Sequence, residues 1–348
     1  MKGLEKKANL VYDIFRVARR LKFPSAPKFL LKLHALTEKN MILTVCPNPS
    51  IDCTIELESL NVGMLNRIQG KVETYSGKAL NVAIGVSRLG EQCVATGFMF
   101  ANQQRTFEHA LNNDGVKCNF VVCEGDTRVN YKIIDKRSML TEINDVGAEV
   151  CLDKQAELIA TVKDLSSAAD IIVVSGSLPK GVNADYYGKI VKDLPKRVKV
   201  VVDAERANTL SAICARDLYM VKPNVKELES FSGEVIRRPK DVVRAAKAYL
   251  DRGVKYVLAS LGTEGAVFTD GKNSYYCKSA SVAVNSTVGA GDSMVAAACV
   301  GTEKGLAMFE VLKQAVAAGT AAVTTSGTNL FYKDKYEEIY TKLTVEEI

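Results

Sequence analysis

The segment TVGAGDSMVAA joins two glycines and an aspartate to the start of an apolar run. Gly289 and Gly291 permit backbone conformations that other residues rarely adopt, and the free N–H groups of a following helix lie at its positive dipole end. These features predict an anion pocket suited to phosphate around Gly289, Ala290 and Gly291. Asp292 beside a phosphate is unfavourable unless it accepts a proton from an attacking hydroxyl group. An ordinary N-cap aspartate is the alternative interpretation.

A second set of polar residues lies in KPNVKELE. Lys222 suits a phosphate, and the amide of Asn224 with the carboxylate of Glu227 suits a largely hydrated Mg²⁺. A capped amphipathic helix with surface charges is the alternative for this segment. The motifs SGSLPKG and SLGTEG are small-residue turns after apolar strands. No segment matches the GxxxxGK[ST] loop, so a Walker-type site is excluded.

The composition excludes several other kinds of site. Nine cysteines are scattered without a CxxC pair, which argues against zinc and against a disulfide framework and favours reduced thiols in a cytoplasmic protein. Only two histidines are present, so a Ser-His-Asp or Cys-His site is hard to build. A hydrophobic fraction of 47% and a charged fraction of 25% are typical of a globular protein.

The net charge of +6 comes from the N-terminal segment. Residues 1–40 contain ten Lys/Arg and three Asp/Glu, so they carry +7 and the other 308 residues carry −1. The rest of the chain therefore gives no indication of a nucleic-acid partner. We interpret 1–40 as a basic extension, either an upstream start or a helix added to the body; a membrane-surface or targeting segment is the alternative. No apolar run reaches the ~18 residues of a membrane span, so no membrane partner is expected.

The elements that must position these residues fall into two patterns. Before residue 150, alternating polarity predicts antiparallel strands in three segments, CTIELESL, NRIQGKVETY and VNYKIIDKR. After residue 150, continuous apolar strands alternate with helical segments, which predicts an α/β fold with a mostly parallel, doubly wound sheet covered by helices on both faces. The polar motifs follow the strands, at the carboxyl edge where such sheets bind ligands.

From Met41 to about residue 345 the chain resembles the ribokinase-like sugar kinases of the PfkB family. STVGAGDSMVAA carries most of this resemblance, and five further motifs occur in the family's order: TVCPNPSID, TRVNYKI, SGSLPKGV, KPNVKELE and SLGTEGAV. The start of the domain and TRVNYKI are similar to the phosphohexose branch, 1-phosphofructokinase and tagatose-6-phosphate kinase. The resemblance implies an αβα sandwich over 41–348, with a small β-sheet lid from about 53–75 and 126–145. It also implies a homodimer formed through that lid.

The resemblance further implies a role for each matching residue. Asp292 is the catalytic base, and the backbone of Gly289, Ala290 and Gly291 forms the anion hole. ATP is the co-substrate, contacted by Lys222, Ser260 and Gly262. Mg²⁺ and its water are organised by Asn224 and Glu227. Asp52 holds sugar hydroxyls, and the sugar with its existing phosphate is surrounded by Lys78, Asn81, Arg128 and Lys132.

One motif departs from the family pattern. The usual GGKGxN reads SGKALN at residues 76–81, so Ser76 and Ala79 replace glycines while Lys78 and Asn81 are kept. An added Cβ restricts the backbone and can crowd the substrate. We expect ATP-dependent phosphorylation of a phosphohexose, with fructose 1-phosphate as the first candidate and tagatose 6-phosphate as the second. A non-catalytic phosphosugar-binding protein is the alternative that SGKALN leaves open.

Overall fold

The structure is a computed structural model and describes residues 41–137, 139–325 and 329–348. The basic extension predicted for residues 1–40 lies outside the described residues. No helix in the described part of the chain is long and apolar enough to cross a membrane.

The large sheet is mostly parallel. Its strand order is β15-β14-β13-β12-β11-β10-β9-β1-β4-β5, and β6 pairs with β4 beyond this path. The strands from β5 to β12 along this order run parallel, and β13 to β15 are antiparallel. Its strands are β1 (Met41–Cys46), β4 (Cys93–Phe100), β5 (Lys117–Cys118), β6 (Val121–Cys123), β9 (Ala169–Ser175), β10 (Lys199–Asp203), β11 (Leu218–Val221), β12 (Val254–Ser260), β13 (Ala266–Thr269), β14 (Ser274–Cys277) and β15 (Val345–Glu347).

Helices cover both faces of this sheet, because successive apolar residues of each strand point to opposite sides. In β9, Ile171 and Val173 join the core that contains α1, α8 and α9. Ile172 and Val174 join the core that contains α3, α4 and α7. The predicted doubly wound αβα architecture is confirmed. The helices are α1 (Lys78–Arg88), α2 (Gln104–Asn113), α3 (Leu152–Leu165), α4 (Tyr186–Val191), α5 (Arg206–Ala215), α6 (Val225–Ser232), α7 (Pro239–Leu250), α8 (Ala290–Glu303), α9 (Met308–Ala322) and α10 (Lys333–Lys342).

A second, four-stranded sheet has the order β3-β2-β7-β8, and we call it the small sheet. The pairs β3–β2 and β7–β8 are antiparallel, as expected, but β2–β7 is parallel, so the expectation of antiparallel strands is wrong for this pair. Its strands come from the two segments to which the lid was assigned, and its role as a lid stays a prediction. They are β2 (Ser50–Leu57), β3 (Gly70–Ser76), β7 (Arg128–Asp135) and β8 (Leu140–Ile143).

Two helices that carry site residues, α1 and α8, pack unusually closely. A Cβ on Gly85 would lie 2.7 Å from the Cβ of Ala296, so the glycine is required for this approach. Asn81 and Asp292 each lie four residues before this contact on their own helices. Both therefore lie one turn nearer the helix N-termini, at the same level.

Candidate active site

Asp292 lies in the first turn of α8 and is almost fully buried, with 6% of its surface exposed. Asn81 Nδ2 donates a hydrogen bond of 2.8 Å to Asp292 Oδ2. Burial raises the pKa of Asp292 to about 6, although Lys78, the hydrogen bond from Asn81 and Lys222 act in the opposite direction. A carboxyl group with this pKa is ionised at neutral pH and accepts a proton more readily than an ordinary aspartate.

The start of α8 has the backbone that an anion pocket requires. Gly289 is the N-cap residue in the left-handed conformation, with φ 78°, and the helix begins at Ala290. A Cβ on Gly291 would lie only 3.2 Å from Lys222 Nζ. The lysine ammonium group therefore lies against the first turn of the helix, where N–H groups have no partners within the helix. The Lys222 ammonium group and the N–H donors of the first turn of α8 are therefore close to each other.

Asp203, at the end of β10, was missed by the sequence analysis as a site residue. Its side chain is 1% exposed, and its Oδ1 lies 3.2 Å from Lys78 Nζ and 3.6 Å from Lys222 Nζ. Burial opposes ionisation of Asp203, but Lys222 and Lys78 outweigh burial and hold its pKa below the ordinary value. The segment DAER follows an apolar strand, so the sequence placed Asp203 at the carboxyl edge of the sheet. No local pattern indicated which lysines would contact its carboxylate.

We call these residues the sheet-edge cluster, because they lie at the carboxyl edge of the large sheet and at the helix N-termini beside it. Its two ammonium groups share the Asp203 carboxylate, and the charge of Asp203 raises the pKa of Lys78 above its ordinary range. Asp203 Oδ2 is buried without a hydrogen-bond partner among the residues that the structure describes. The members are Lys78, Asn81, Asp203, Lys222 and Asp292.

Asn224 and Glu227 form a capping box at the start of α6. Asn224 Oδ1 accepts from the Glu227 N–H, and Glu227 Oε2 accepts from the Asn224 N–H, both at 2.9 Å. This arrangement is the capped helix considered as the alternative for the segment, and it leaves Glu227 Oε1 without a role in the cap. The charge of Glu227 also raises the pKa of Lys78, so its carboxylate acts on the cluster.

The SLGTEG turn lies beside this cap. Asn224 and Ser260 form an isolated parallel bridge, and the Ser260 N–H donates to the Pro223 carbonyl at 3.0 Å. Gly262 adopts φ +61° and has open space where a Cβ would be. The predicted nucleotide residues Ser260 and Lys222 are thus carried by adjacent strand ends, and Gly262 lies in the turn that follows Ser260.

Of the residues predicted around the sugar, the small sheet carries Asp52, Arg128 and Lys132, whereas Lys78 and Asn81 lie on α1 in the sheet-edge cluster. Asp52 and Lys132, with two polar neighbours, form what we call the small-sheet cluster. Asp52 Oδ2 accepts from Lys132 Nζ at 2.8 Å, and both side chains are less than a tenth exposed. Asp52 Oδ1 accepts from Ser50 Oγ at 3.2 Å and Asn130 Nδ2 at 3.0 Å. The Asp52 carboxylate is therefore fully engaged within two neighbouring strands. The members are Ser50, Asp52, Asn130 and Lys132.

Arg128 is held by backbone rather than by an acidic side chain. Its guanidinium donates to the carbonyls of Asn48, Pro49 and Asp145 at 3.1, 3.3 and 3.2 Å. Burial lowers its pKa below the ordinary value. These bonds leave part of its five-donor fork for an anion.

The departure SGKALN falls on regular backbone. Ser76 is the last residue of β3, paired with Ser50, and Ala79 lies in the first turn of α1. Gly77, which the motif keeps, has φ 149° and would place a Cβ 2.8 Å from Cys46 Sγ. The position that needs glycine has it, so the expected restriction of the backbone at Ser76 and Ala79 is absent.

Known proteins match the chain over most of its length. A family model for the pfkB family carbohydrate kinase matches residues 47–335. A 1-phosphofructokinase of Haloferax volcanii is 31% identical over 291 residues, covering 83% of this chain and 93% of the relative. A tagatose-6-phosphate kinase of Staphylococcus epidermidis is 30% identical over 311 residues, covering 88% and 100%. The crystal structure of phosphofructokinase-2 from Escherichia coli with substrates and products has a TM-score of 0.82 at 29% identity, covering 87% and 99%.

The family model spans the motifs that carried the resemblance, from the end of β1 into α10. The solved kinase shares the fold over nearly its whole length. The predicted resemblance is therefore confirmed, and the chain belongs to the pfkB family of carbohydrate kinases.

Proposed function

We propose that the protein transfers the γ-phosphoryl group of ATP to a hydroxyl group of fructose 1-phosphate, giving fructose 1,6-bisphosphate. The observation that carries the proposal is the sheet-edge cluster, in which a buried carboxyl group with a pKa of about 6 lies among two lysines and a helix N-terminus. A base and an anion pocket are the two things that phosphoryl transfer to an alcohol needs from a protein. Tagatose 6-phosphate is the second candidate, because a tagatose-6-phosphate kinase matches this chain about as well as a 1-phosphofructokinase.

In this proposal Asp292 takes the proton of the attacking hydroxyl group. The hydrogen bond from Asn81 fixes one carboxylate oxygen, and the other remains for the substrate. The raised pKa brings Asp292 closer to the working pH, which favours proton transfer in the transition state.

Lys78, Lys222 and the first N–H groups of α8 would stabilise the negative charge that spreads over the transferred phosphoryl group. Asp203 keeps both ammonium groups in place through its Oδ1. Two cations sharing one carboxylate leave positive charge for the phosphates of ATP. Asp203 is thus a positioning residue in this scheme.

Mg²⁺ fits the chemistry near Glu227, although the fit is partial. Mg²⁺ in kinases is held largely by substrate phosphates and water, with one or two carboxylates. Glu227 Oε1 lies outside the cap, and Asp203 Oδ2 is a buried acceptor without a partner among the described residues. No group of three or more His, Cys, Asp or Glu in the described ranges is placed to hold a metal. Glu227, with Asn224 acting through water, would hold the ion, which would supply charge neutralisation between the phosphates of ATP.

The small-sheet cluster would bind the sugar phosphate. Asp52 suits sugar hydroxyls, and Lys132 and Arg128 suit the existing phosphate. Because Lys132 is paired with Asp52, a bound phosphate would compete with that carboxylate for the ammonium group. Neither cation indicates which carbon bears the phosphate.

The test is ADP release with Mg-ATP against fructose 1-phosphate, tagatose 6-phosphate, fructose 6-phosphate, ribose and fructose. We expect the highest kcat/KM with fructose 1-phosphate. A preference for tagatose 6-phosphate would replace the first candidate by the second. ATP binding without turnover on any sugar would overturn the catalytic proposal and favour a phosphosugar-binding protein of this fold.

We also propose that two copies of the chain associate through the small sheet. Alternation places Ile51, Cys53 and Ile55 of β2 on one face with Tyr131 and Ile143. Tyr131 is 40% exposed and Ile143 56% exposed, and the same face carries the exposed Lys71–Glu73 ion pair on the edge strand β3. A second copy presenting the same face would cover them, as expected of an isologous dimer.

Sedimentation of the wild type and of Tyr131→Asp/Ile143→Asp tests this association. We expect a dimer for the wild type and a monomer for the double variant, because two buried charges oppose the interface. Val235→Asp, at a 63% exposed apolar residue between α6 and α7, is the matched control and should remain a dimer. A monomeric wild type would refute the proposal.

The location of the protein in the cytoplasm stays a prediction.

A further inference from the structure

The serine that replaces a glycine in SGKALN lies next to the candidate catalytic machinery. We propose that Ser76 is a positioning residue: its hydroxyl fixes the side-chain amide of Asn81 and thereby the carboxylate of Asp292. This inference rests on the proposed function, in which Asp292 is the general base. It assigns a catalytic consequence to the motif position where this chain departs from its family's pattern.

Three buried side chains form a line. Ser76 Oγ lies 3.4 Å from Asn81 Oδ1, and Asn81 Nδ2 lies 2.8 Å from Asp292 Oδ2. The three residues are 4%, 6% and 6% exposed. An amide oxygen only accepts, so the Ser76 hydroxyl must donate to it. The donor end of the amide then faces Asp292.

The orientation of the Asn81 amide determines whether it stabilises or destabilises the ionised form of Asp292. With Nδ2 toward Asp292, the amide donates to the carboxylate and stabilises its ionised form. With the amide turned over, Oδ1 and the carboxylate oxygen would be two acceptors facing each other. Glycine at position 76 offers no side-chain group to restrain the amide in the first of these orientations.

Close packing does not fix the amide by itself. Ser76 and Asn81 both line a cavity of about 180 Å³ between β3, α1 and α2. A side chain beside such a space can turn more freely than one enclosed in a tightly packed core. The ionised Asp292 carboxylate only accepts and so sets which end of the amide faces it, and the contact with Ser76 restrains the amide in that orientation. At 3.4 Å it is a long hydrogen bond, so its effect is expected to be moderate.

Ser76 also connects the two clusters. It is the last residue of β3 and pairs with Ser50, whose hydroxyl donates to Asp52. The line of contacts therefore runs from the small sheet to the base. A shift of β3 relative to α1 would change the Ser76–Asn81 contact, so the position of the small sheet is transmitted to Asp292.

The test compares Ser76→Ala, Ser76→Gly and Ser76→Thr with the wild type in fructose 1-phosphate phosphorylation across pH. Removal of a neutral hydrogen bond predicts a fall in kcat of about threefold to tenfold for the first two variants. The acid limb of kcat/KM should move to higher pH, because Asp292 loses stabilisation of its ionised form. Ser76→Thr keeps a hydroxyl and should restore both readouts. Tyr75→Phe, which removes a hydroxyl group on the same strand and the same cavity, is the matched control and should move neither.

The decisive step repeats Ser76→Ala in an Asn81→Ala background. If Ser76 acts through Asn81, the second substitution has no further effect on kcat or on the acid limb. An equal loss in both backgrounds, or an unchanged acid limb in Ser76→Ala, would overturn the proposal. Asp292→Asn in the same assay distinguishes failure of the Ser76 proposal from failure of the proposed function. Full turnover in that variant would show that Asp292 is not the general base, independently of the result for Ser76.

Discussion

Two buried carboxylate–lysine clusters occur in this molecule, and they differ in how completely their charges are satisfied. In the small-sheet cluster, both oxygens of Asp52 accept hydrogen bonds, all from residues of β2 and β7. In the sheet-edge cluster, both lysines approach Asp203 Oδ1, while Oδ2 has no partner among the described residues. Asp292 beside them keeps a raised pKa. The second cluster is thus left incomplete at the place where phosphate is proposed to bind.

The difference indicates different tasks. Incompletely paired buried charges cost folding free energy, and they persist where a ligand or a reaction completes them. In the small-sheet cluster, side chains of the neighbouring strands β2 and β7 satisfy the Asp52 carboxylate without a ligand. We therefore expect substitutions in the sheet-edge cluster to lower kcat and substitutions in the small-sheet cluster to raise KM.

The largest effect is expected from Asp292→Asn. An amide cannot accept the hydroxyl proton, so kcat should fall by about 10²–10⁴-fold, the usual contribution of a general base. The measurement is ADP release at saturating ATP and sugar phosphate. Calorimetric ATP binding and the melting temperature serve as controls and should stay close to the wild type. Unchanged kcat would contradict the role of Asp292.

Asp203→Asn is expected to have the next largest effect. It removes the charge that holds Lys78 and Lys222, and a misplacement of about 1 Å around reacting groups can lower kcat by about 10²-fold. Steady-state kinetics should show the loss mainly in kcat. Asp170→Asn, at the start of β9 where Asp170 pairs with Arg197 at 3.1 Å, is the matched control and should change kcat by less than about twofold. Equal effects of the two substitutions would refute the positioning role.

Lys132→Met tests the other side of the comparison. If Lys132 binds the sugar phosphate, the KM of that substrate should rise by about 10–50-fold while kcat stays within about twofold, since a binding interaction equal in the ground and transition states is lost. Lys71→Met removes an exposed lysine of the same sheet, paired with Glu73 at 2.6 Å, and should leave KM unchanged. A fall in kcat without a change in KM would contradict the assignment of substrate binding to the small-sheet cluster.

The smallest expected effect is the pH dependence of the wild type. The base acts when ionised, and its pKa of about 6 lies above that of an ordinary aspartate. Activity should therefore be complete above pH 7 and should fall as pH decreases through about 6, by about tenfold per pH unit below it. The kcat/KM profile at constant ionic strength measures this limb. A limb near pH 4 would show that burial does not raise the pKa of Asp292 in the free enzyme.

Much of the architecture could be predicted from local sequence. The continuous apolar run of β9 indicates a strand buried on both faces, and its alternate residues do enter two different cores. Gly289 predicted a special turn at the start of α8, and the structure has it in the left-handed conformation. These features depend on periodicity and on backbone sterics, which act within a few residues.

The partners within the site could not be predicted in the same way. Asn81 and Asp292 are 211 residues apart in the chain, and Lys78 and Asp203 are 125 apart. Their meeting follows from the strand order, which places β1 beside β9 and β9 beside β10, and from the close approach of α1 and α8 at Gly85. The sequence by itself determined most of the element types, the glycine turn at the start of α8 where phosphate is proposed to bind, and the candidate base. Only the tertiary structure decided that Asp203 is shared by two lysines, that Asp52 is neutralised within the small sheet and that Ser76 reaches Asn81, because these contacts depend on long-range packing, which local patterns do not encode.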